Sequence, residues 1–180
     1  IAPVPKRGAQ PGDRLILTKP LGTGIILAAE MQTIRPKTGL LGPMWRACVD
    51  SMARPMGQDA AILAPVARAM SDVTGFGLAG HMAEMLGDGL TAELDHAEIP
   101  VLDGADGLAG QGVASTLAPA NRAGLRPEWD GPLADLLIDP QTCGGLLAAV
   151  PPAQADAALA QLRDAGADAR IIGEVVAATQ

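Results

Sequence analysis

Asp72 stands just ahead of two glycines in the segment Ser71-Asp72-Val73-Thr74-Gly75-Phe76-Gly77, at the mouth of an apolar-periodic stretch. A carboxylate there can hold Mg²⁺ while the N–H groups of a glycine turn and a helix start face phosphate oxygens. The plainer reading of the same residue is an Asx turn or a helix cap. The overlapping run Gly75-Phe76-Gly77-Leu78-Ala79-Gly80 also satisfies G-x-G-x-x-G, with Asp95 about 20 positions after the first glycine, which is nearly a dinucleotide-binding pattern. Its upstream side does not fit. That fingerprint needs an apolar strand running straight into the first glycine, and here Arg68 to Asp72 intervene after a helical pattern.

Two further groups invite chemistry and are better read as structural. His81 and Glu84 lie three apart on one helix, the spacing of di-iron bundles in the opposite order. With His96 the only other histidine, no second pair exists, and His81–Glu84 reads as a surface or interface pair. Cys143, followed by Gly144 and Gly145, has no recognisable histidine partner and reads as a turn cysteine. Cys48 and Cys143 form no C-x-x-C pair, which argues against a disulfide framework or thiolate metal site and suits a reducing compartment, the cytoplasm.

The elements that must position these residues alternate along the chain. Asp13 to Thr18 reads as a strand, Lys19 to Gly24 as a Gly/Pro loop, and Ile25 to Gln32 and Met44 to Arg54 as helices. Gln58 to Met70 has helical spacing, with Pro65 expected to kink or break it. A helix from Leu78 stops at Gly87, and Leu90 to Leu94 is a strand. Val101 to Arg126 is Gly- and Ala-rich and predicts one or two helices. After the short apolar run Leu133 to Ile138, the segment Asp139 to Gly145 turns into a strand at Leu146 to Val150. Pro151 and Pro152 open a last helix that ends at Gly166, and Arg170 to Val176 closes as a strand. Interleaved strands and helices predict an α/β (α+β) class, a mixed β-sheet with packed helices.

Composition narrows the partners. The 180 residues carry 20 acidic against 13 basic side chains, a net charge of −7, with lysines only at Lys6, Lys19 and Lys37. That balance, and a complement of aromatics limited to Trp45, Trp129 and Phe76, leaves neither a basic patch nor base-stacking platforms, so nucleic acid is not expected. The hydrophobic share of 48% rests largely on alanine, and the uncharged stretch Pro140 to Ala155 is broken by prolines and glycines, so no membrane span is expected. The chain opens on Ile1 rather than Met, shows no signal-peptide pattern, and is read as a fragment or processed product.

Three separate blocks, in order, carry a resemblance. They are Gly12-Asp13 through Leu17-Thr18-Lys19-Pro20-Leu21-Gly22-Thr23-Gly24, Ser71-Asp72-Val73-Thr74-Gly75-Phe76-Gly77-Leu78-Ala79-Gly80-His81, and Asp139-Pro140-Gln141-Thr142-Cys143-Gly144-Gly145-Leu146-Leu147. Together they resemble the selenophosphate synthetases (selenide, water dikinases), of the aminoimidazole ribonucleotide synthetase superfamily. The resemblance implies that residues 1–11 are a lead-in from a missing N-terminal ATP-binding domain and that residues 12–180 are the C-terminal domain. It implies a reaction converting selenide, ATP and water into selenophosphate, AMP and orthophosphate, with Mg²⁺, in a full-length homodimer. The redox-active Cys or selenocysteine and its Lys would lie in the N-terminal half, so no catalytic residue is expected here. The aspartate of the second block is a Mg²⁺ ligand in that family and matches Asp72; Lys19 and Thr18 are expected to approach the phosphate end of the cleft. Position 143 is usually Ser in the family, and here it is Cys. The alternatives are a superfamily member acting on another nucleophile, and a dinucleotide-binding module of a redox enzyme.

Overall fold

The structure is a computed structural model and describes residues 3–125 and 133–178. Five strands, β1 (Arg14–Leu17), β2 (Ala69–Asp72), β3 (Leu90–Leu94), β4 (Leu146–Val150) and β5 (Arg170–Ala177), form one sheet in the order β2-β4-β1-β5-β3. Eight helices are described around it: α1 (Thr23–Met31), α2 (Leu41–Ala53), α3 (Gly57–Leu63), α4 (Gly77–Leu86), α5 (Ala105–Ala109), α6 (Ala118–Ala123), α7 (Ala134–Leu137) and α8 (Pro152–Asp164). The α/β class with packed helices is what forms. The expected mixture of strand directions is limited to an isolated parallel bridge, Leu21 to Val101, while the ladders of the sheet are antiparallel.

The strand period of two sets which core each residue enters. Leu15, Leu17, Leu147 and Ala149 face the α4 side, against Leu78, Met82 and Met85. Ile16, Ala148 and Val150 face the other side, against Leu63 of α3 and Ala155, Ala158 and Leu162 of α8. The middle strands are therefore apolar on both faces. A third cluster joins Ile25, Ile26 and Ala29 of α1 to Met44 and Cys48 of α2 and Ala105 and Leu108 of α5.

One expected element divides. The helical spacing of Gln58 to Met70 ends as a helix at Leu63, and Ala69–Asp72 is a strand. Ala64 still has helical dihedrals, but Pro65 lacks the N–H that would continue the helix, so the chain turns, with the Val66 and Ala67 amides both bonding to the Leu63 carbonyl. The free edge of β4 then recruits Ala69–Asp72 in register, Met70 opposite Ala148 and Asp72 opposite Leu146. On its outer side the Met70 amide donates to the Pro5 carbonyl, so the lead-in covers that edge. The expected helical stretch after Val101 becomes the short helices α5 and α6; its terminus at Arg126 lies outside the described residues. No helix among the described residues is long and apolar enough to cross a membrane.

Candidate functional site

The three blocks converge at one end of the sheet. Thr18 follows β1, Asp72 ends β2 and Leu146 opens β4, and these strands are neighbours. The Thr18 amide donates to the Leu146 carbonyl at 3.1 Å, the Leu146 amide donates back to Thr18 Oγ1 at 2.9 Å, and the Val73 amide donates to the Gly145 carbonyl at 2.8 Å. The loops that leave these strand ends are therefore locked side by side. Gly144 and Gly24 mark the closest approaches: a Cβ on Gly144 would run into the Val73 carbonyl oxygen, and one on Gly24 into that of Pro140.

At the end of the Gly/Pro loop Lys19 to Gly24 the amides of Gly22, Thr23 and Gly24 are already engaged. Gln141 Oε1 accepts from the Gly22 amide at 3.1 Å, the Thr23 amide at 3.2 Å and the Thr23 hydroxyl at 3.0 Å. Asp139 Oδ2 accepts from the Gly24 and Ile25 amides at 3.1 and 3.2 Å. The N-terminus of α1 is thus satisfied from within by two side chains of the third block. Burial pushes the Asp139 carboxyl up to about 7, outweighing the Ile25 amide, the Gln141 side chain and the Gly24 amide, which favour its ionised form.

Asp72 remains available. It is exposed at the end of β2, next to the glycine turn, and no described hydrogen bond or ion pair engages its carboxylate. Among the described residues no group of three or more His, Cys, Asp or Glu side chains could by itself enclose a metal ion, so Asp72 offers a single ligand. Lys19 is only 3% exposed, and its Nζ donates to the Cys143 carbonyl at 3.0 Å. Burial, and then the charge of Arg54, lower its pKa; Cys143 and Asp59 act the other way. Arg54 is held in a two-pronged pair with the buried Asp59, both bonds 2.7 Å. Thr18 is fully buried and committed to Leu146, which makes it a clamp between strands.

The cysteines separate as structural residues. Cys48 is buried, its thiol pushed up to about 11 by burial and by Asp139, with Sγ 3.9 Å from the Thr23 carbonyl. Cys143 is exposed, and its backbone is left-handed at φ 49°. His81, expected in a surface or interface pair, is buried: its Nε2 lies 3.1 Å from Thr74 Oγ1 and its Nδ1 3.4 Å from Glu84 Oε2. Thr74, Asp139 and Gln141 are the site residues that sequence reasoning did not single out. An open cavity of about 460 Å³ lies beside them, between α1 and Ser115–Leu117, with Gly75, Pro140 and Thr142 on its rim.

The G-x-G-x-x-G run does follow a strand, contrary to expectation, but it forms no dinucleotide-binding unit. That unit needs a helix crossing to a parallel neighbouring strand. Here β2 and β3, which flank α4, sit at opposite edges of the sheet and pair antiparallel with β4 and β5.

Comparison with known proteins fits this arrangement. The family model described as AIR synthase related protein, C-terminal domain, matches residues 10–180. The chain is 40% identical over 185 residues to the selenide, water dikinase of Nitratidesulfovibrio vulgaris, covering 94% of this chain and 49% of that protein. It is 38% identical over 176 residues to the enzyme of the same name from Escherichia coli K12, covering 94% and 49%. The chain spans about half the length of the curated relatives it matches. Among solved structures it is similar to thiamine-monophosphate kinase from Stenotrophomonas maltophilia, with TM-score 0.64, 17% identity, and 98% of this chain on 51% of that one. It is also similar to tt0281 from Thermus thermophilus, with TM-score 0.68, 23% identity, and coverages of 98% and 50%. These likenesses are to the fold.

Proposed function

The chain belongs to the AIR synthase related family, as a C-terminal domain of that family, and from this premise we propose that it serves as the C-terminal half of a selenide, water dikinase. The observation that carries this reading is the identity of about 40% to enzymes of that name across nearly the whole chain. In the complete enzyme the reaction converts selenide, ATP and water into selenophosphate, AMP and orthophosphate. The N-terminal half would supply most ATP contacts, and the assembled enzyme would be a homodimer. Free Cys48 and Cys143 are in keeping with a reducing cytoplasm.

Asp72 suits a shared Mg²⁺. Its carboxylate is exposed and uncommitted, and Mg²⁺ is commonly held by one or two carboxylates together with substrate phosphates. When bound, the ion neutralises phosphate charge and helps orient the transferred group. Asp72 would contribute one oxygen from a strand end fixed on β4, and carboxylates of the N-terminal half would contribute the others. Lys19 holds the Cys143 carbonyl and so fixes the turn facing Asp72's strand; its ammonium adds positive charge at the phosphate end. The capped N-terminus of α1 contributes no amides to phosphate, because Gln141 and Asp139 hold them.

The test joins this chain to the N-terminal half of such an enzyme and follows selenide-dependent AMP formation. The joined protein should turn over, whereas the 180-residue chain alone should make no selenophosphate and bind ATP·Mg²⁺ weakly or not at all, given its net charge of −7. Joined protein that hydrolyses ATP without any response to selenide would overturn the reading.

A further inference from the structure

We propose that His81 is a positioning residue for this site: by holding the Thr74 hydroxyl, it fixes the Thr74 carbonyl on which the Asp72 loop and the Gln141 loop converge. The argument begins with Thr74 itself. Its carbonyl receives the Gly77 amide at 3.0 Å, closing the glycine turn after Asp72, and the Gln141 amide, also at 3.0 Å. Gln141 then caps α1 through its side chain. One peptide unit therefore ties the second block to the third, and through it to the first.

That peptide is only as well oriented as its side chain. Thr74 is half-buried, and its Oγ1 lies 3.1 Å from His81 Nε2. His81 is 5% exposed, its ring centroid 5.4 Å from that of Phe76, so solvent does not compete for Nε2. On the far side of the ring, Nδ1 faces the Glu84 carboxylate at 3.4 Å, and that carboxylate also pairs with Lys6. Burial holds the imidazole towards its neutral form, against the opposing influence of Glu84. The Nδ1–Glu84 contact is electrostatic, outside hydrogen-bond geometry, and the carboxylate charge favours the ring proton on Nδ1, leaving Nε2 as the acceptor and the Thr74 hydroxyl as the donor. Glu84 biases the ring through its charge, the Nε2 contact orients Thr74, and the Thr74 carbonyl joins the two loops. The arrangement has the order of a nucleophile–base–carboxylate relay, yet its threonine is bonded into a turn, and we assign it to positioning.

The first arm of the test does not depend on the proposed reaction. Amide exchange is measured in this chain for wild type, His81→Leu, which keeps bulk, and His81→Gln, which can return a polar atom near Nε2. Exchange at Gly77 and Gln141 should quicken about tenfold in His81→Leu and stay within about threefold in His81→Gln, with Leu147 at the sheet centre unmoved. Unchanged exchange at Gly77 and Gln141, or a Gln variant that behaves like the Leu variant, overturns the proposal. If His81→Leu does not fold, Thr74→Val removes the same bond from the other side and carries the same expectations. The second arm rests on the reading above and uses the complete enzyme. Half-saturating Mg²⁺ for ATP turnover should rise about tenfold in His81→Leu and mostly recover in His81→Gln, while the rate at saturating Mg²⁺ changes less. An unchanged Mg²⁺ dependence overturns positioning even where the melting temperature drops. A wild-type enzyme with no selenide-dependent turnover sinks the proposed function instead, and leaves the exchange arm to judge His81.

Discussion

Gln141 Oε1 accepts the Thr23 hydroxyl at 3.0 Å although 118 residues separate the two, and Thr23 Oγ1 accepts the Thr142 amide in return at 2.9 Å. The pair is buried and reciprocal, so each side chain completes the other's loop. Helix α1 has no capping side chain of its own; its N-cap is Gly22, in left-handed geometry at φ 111°. The glycine turns the chain, and the third block supplies the missing acceptors.

Removing that acceptor leaves buried donors without partners. Gln141→Leu should therefore destabilise the chain by ~2–4 kcal/mol, read as a shift of the urea midpoint at unchanged slope. A loss under about 0.5 kcal/mol would show that water reaches the Gly22 and Thr23 amides, and that the cap is dispensable.

Asp139 makes stability depend on pH with a definite sign. Its folded-state pKa is raised from 3.8 to about 7, so the folded chain keeps a proton that the unfolded chain releases. The contribution is fully present below the unfolded value and is lost as pH rises through the folded one. Relative to Asp139→Asn, wild type should lose on the order of a few kcal/mol between about pH 4 and pH 8. Urea melts of both proteins across that window give the difference directly; a flat or rising difference contradicts the assignment.

Asp72→Asn in the complete enzyme keeps size and turn-forming ability and removes the charge that Mg²⁺ requires. ATP consumption should fall at least about a hundredfold, roughly 2.7 kcal/mol of barrier, while the melting temperature holds within about two degrees. Activity that falls only in proportion to the folded fraction would make Asp72 a turn residue.

Cys143→Ser should be nearly silent, within about 0.5 kcal/mol in stability and about threefold in turnover, because the side chain is exposed and its part in the site is played by its carbonyl. Cys143→Val is the contrasting case: a β-branched residue at φ 49° is strained and should cost ~1–3 kcal/mol. A tenfold loss of turnover in a stably folded Ser variant would make the thiol catalytic.

How far the sequence foretold this depends on whether the cause was local. Leu90–Leu94 and Leu146–Val150 form strands with the expected bounds, since turn residues delimit both, the first alternating apolar with polar residues and the second apolar throughout. Ala69–Asp72 was hidden because its pattern continues the spacing of the preceding helix, and only the free edge of β4 makes it a strand. The convergence of the three blocks was foreshadowed by resemblance, but Gln141 as a cap was not. A glutamine that satisfies amides over a hundred residues away leaves no mark at short range. His81 misled for a related reason: its spacing to Glu84 suggested a surface or interface pair, and Thr74, which its ring contacts, lies in the loop before its helix.

The bond from the Met70 amide to the Pro5 carbonyl has a consequence for self-association. β2 is a terminal strand of the sheet, and an uncovered terminal strand offers a row of donors and acceptors to any other chain. Pro5 supplies an acceptor there without bringing a donor of its own, and Lys6 and Arg7 anchor the segment to Glu84. The segment around Pro5 thus occupies part of an edge that a strand of another chain would otherwise pair with.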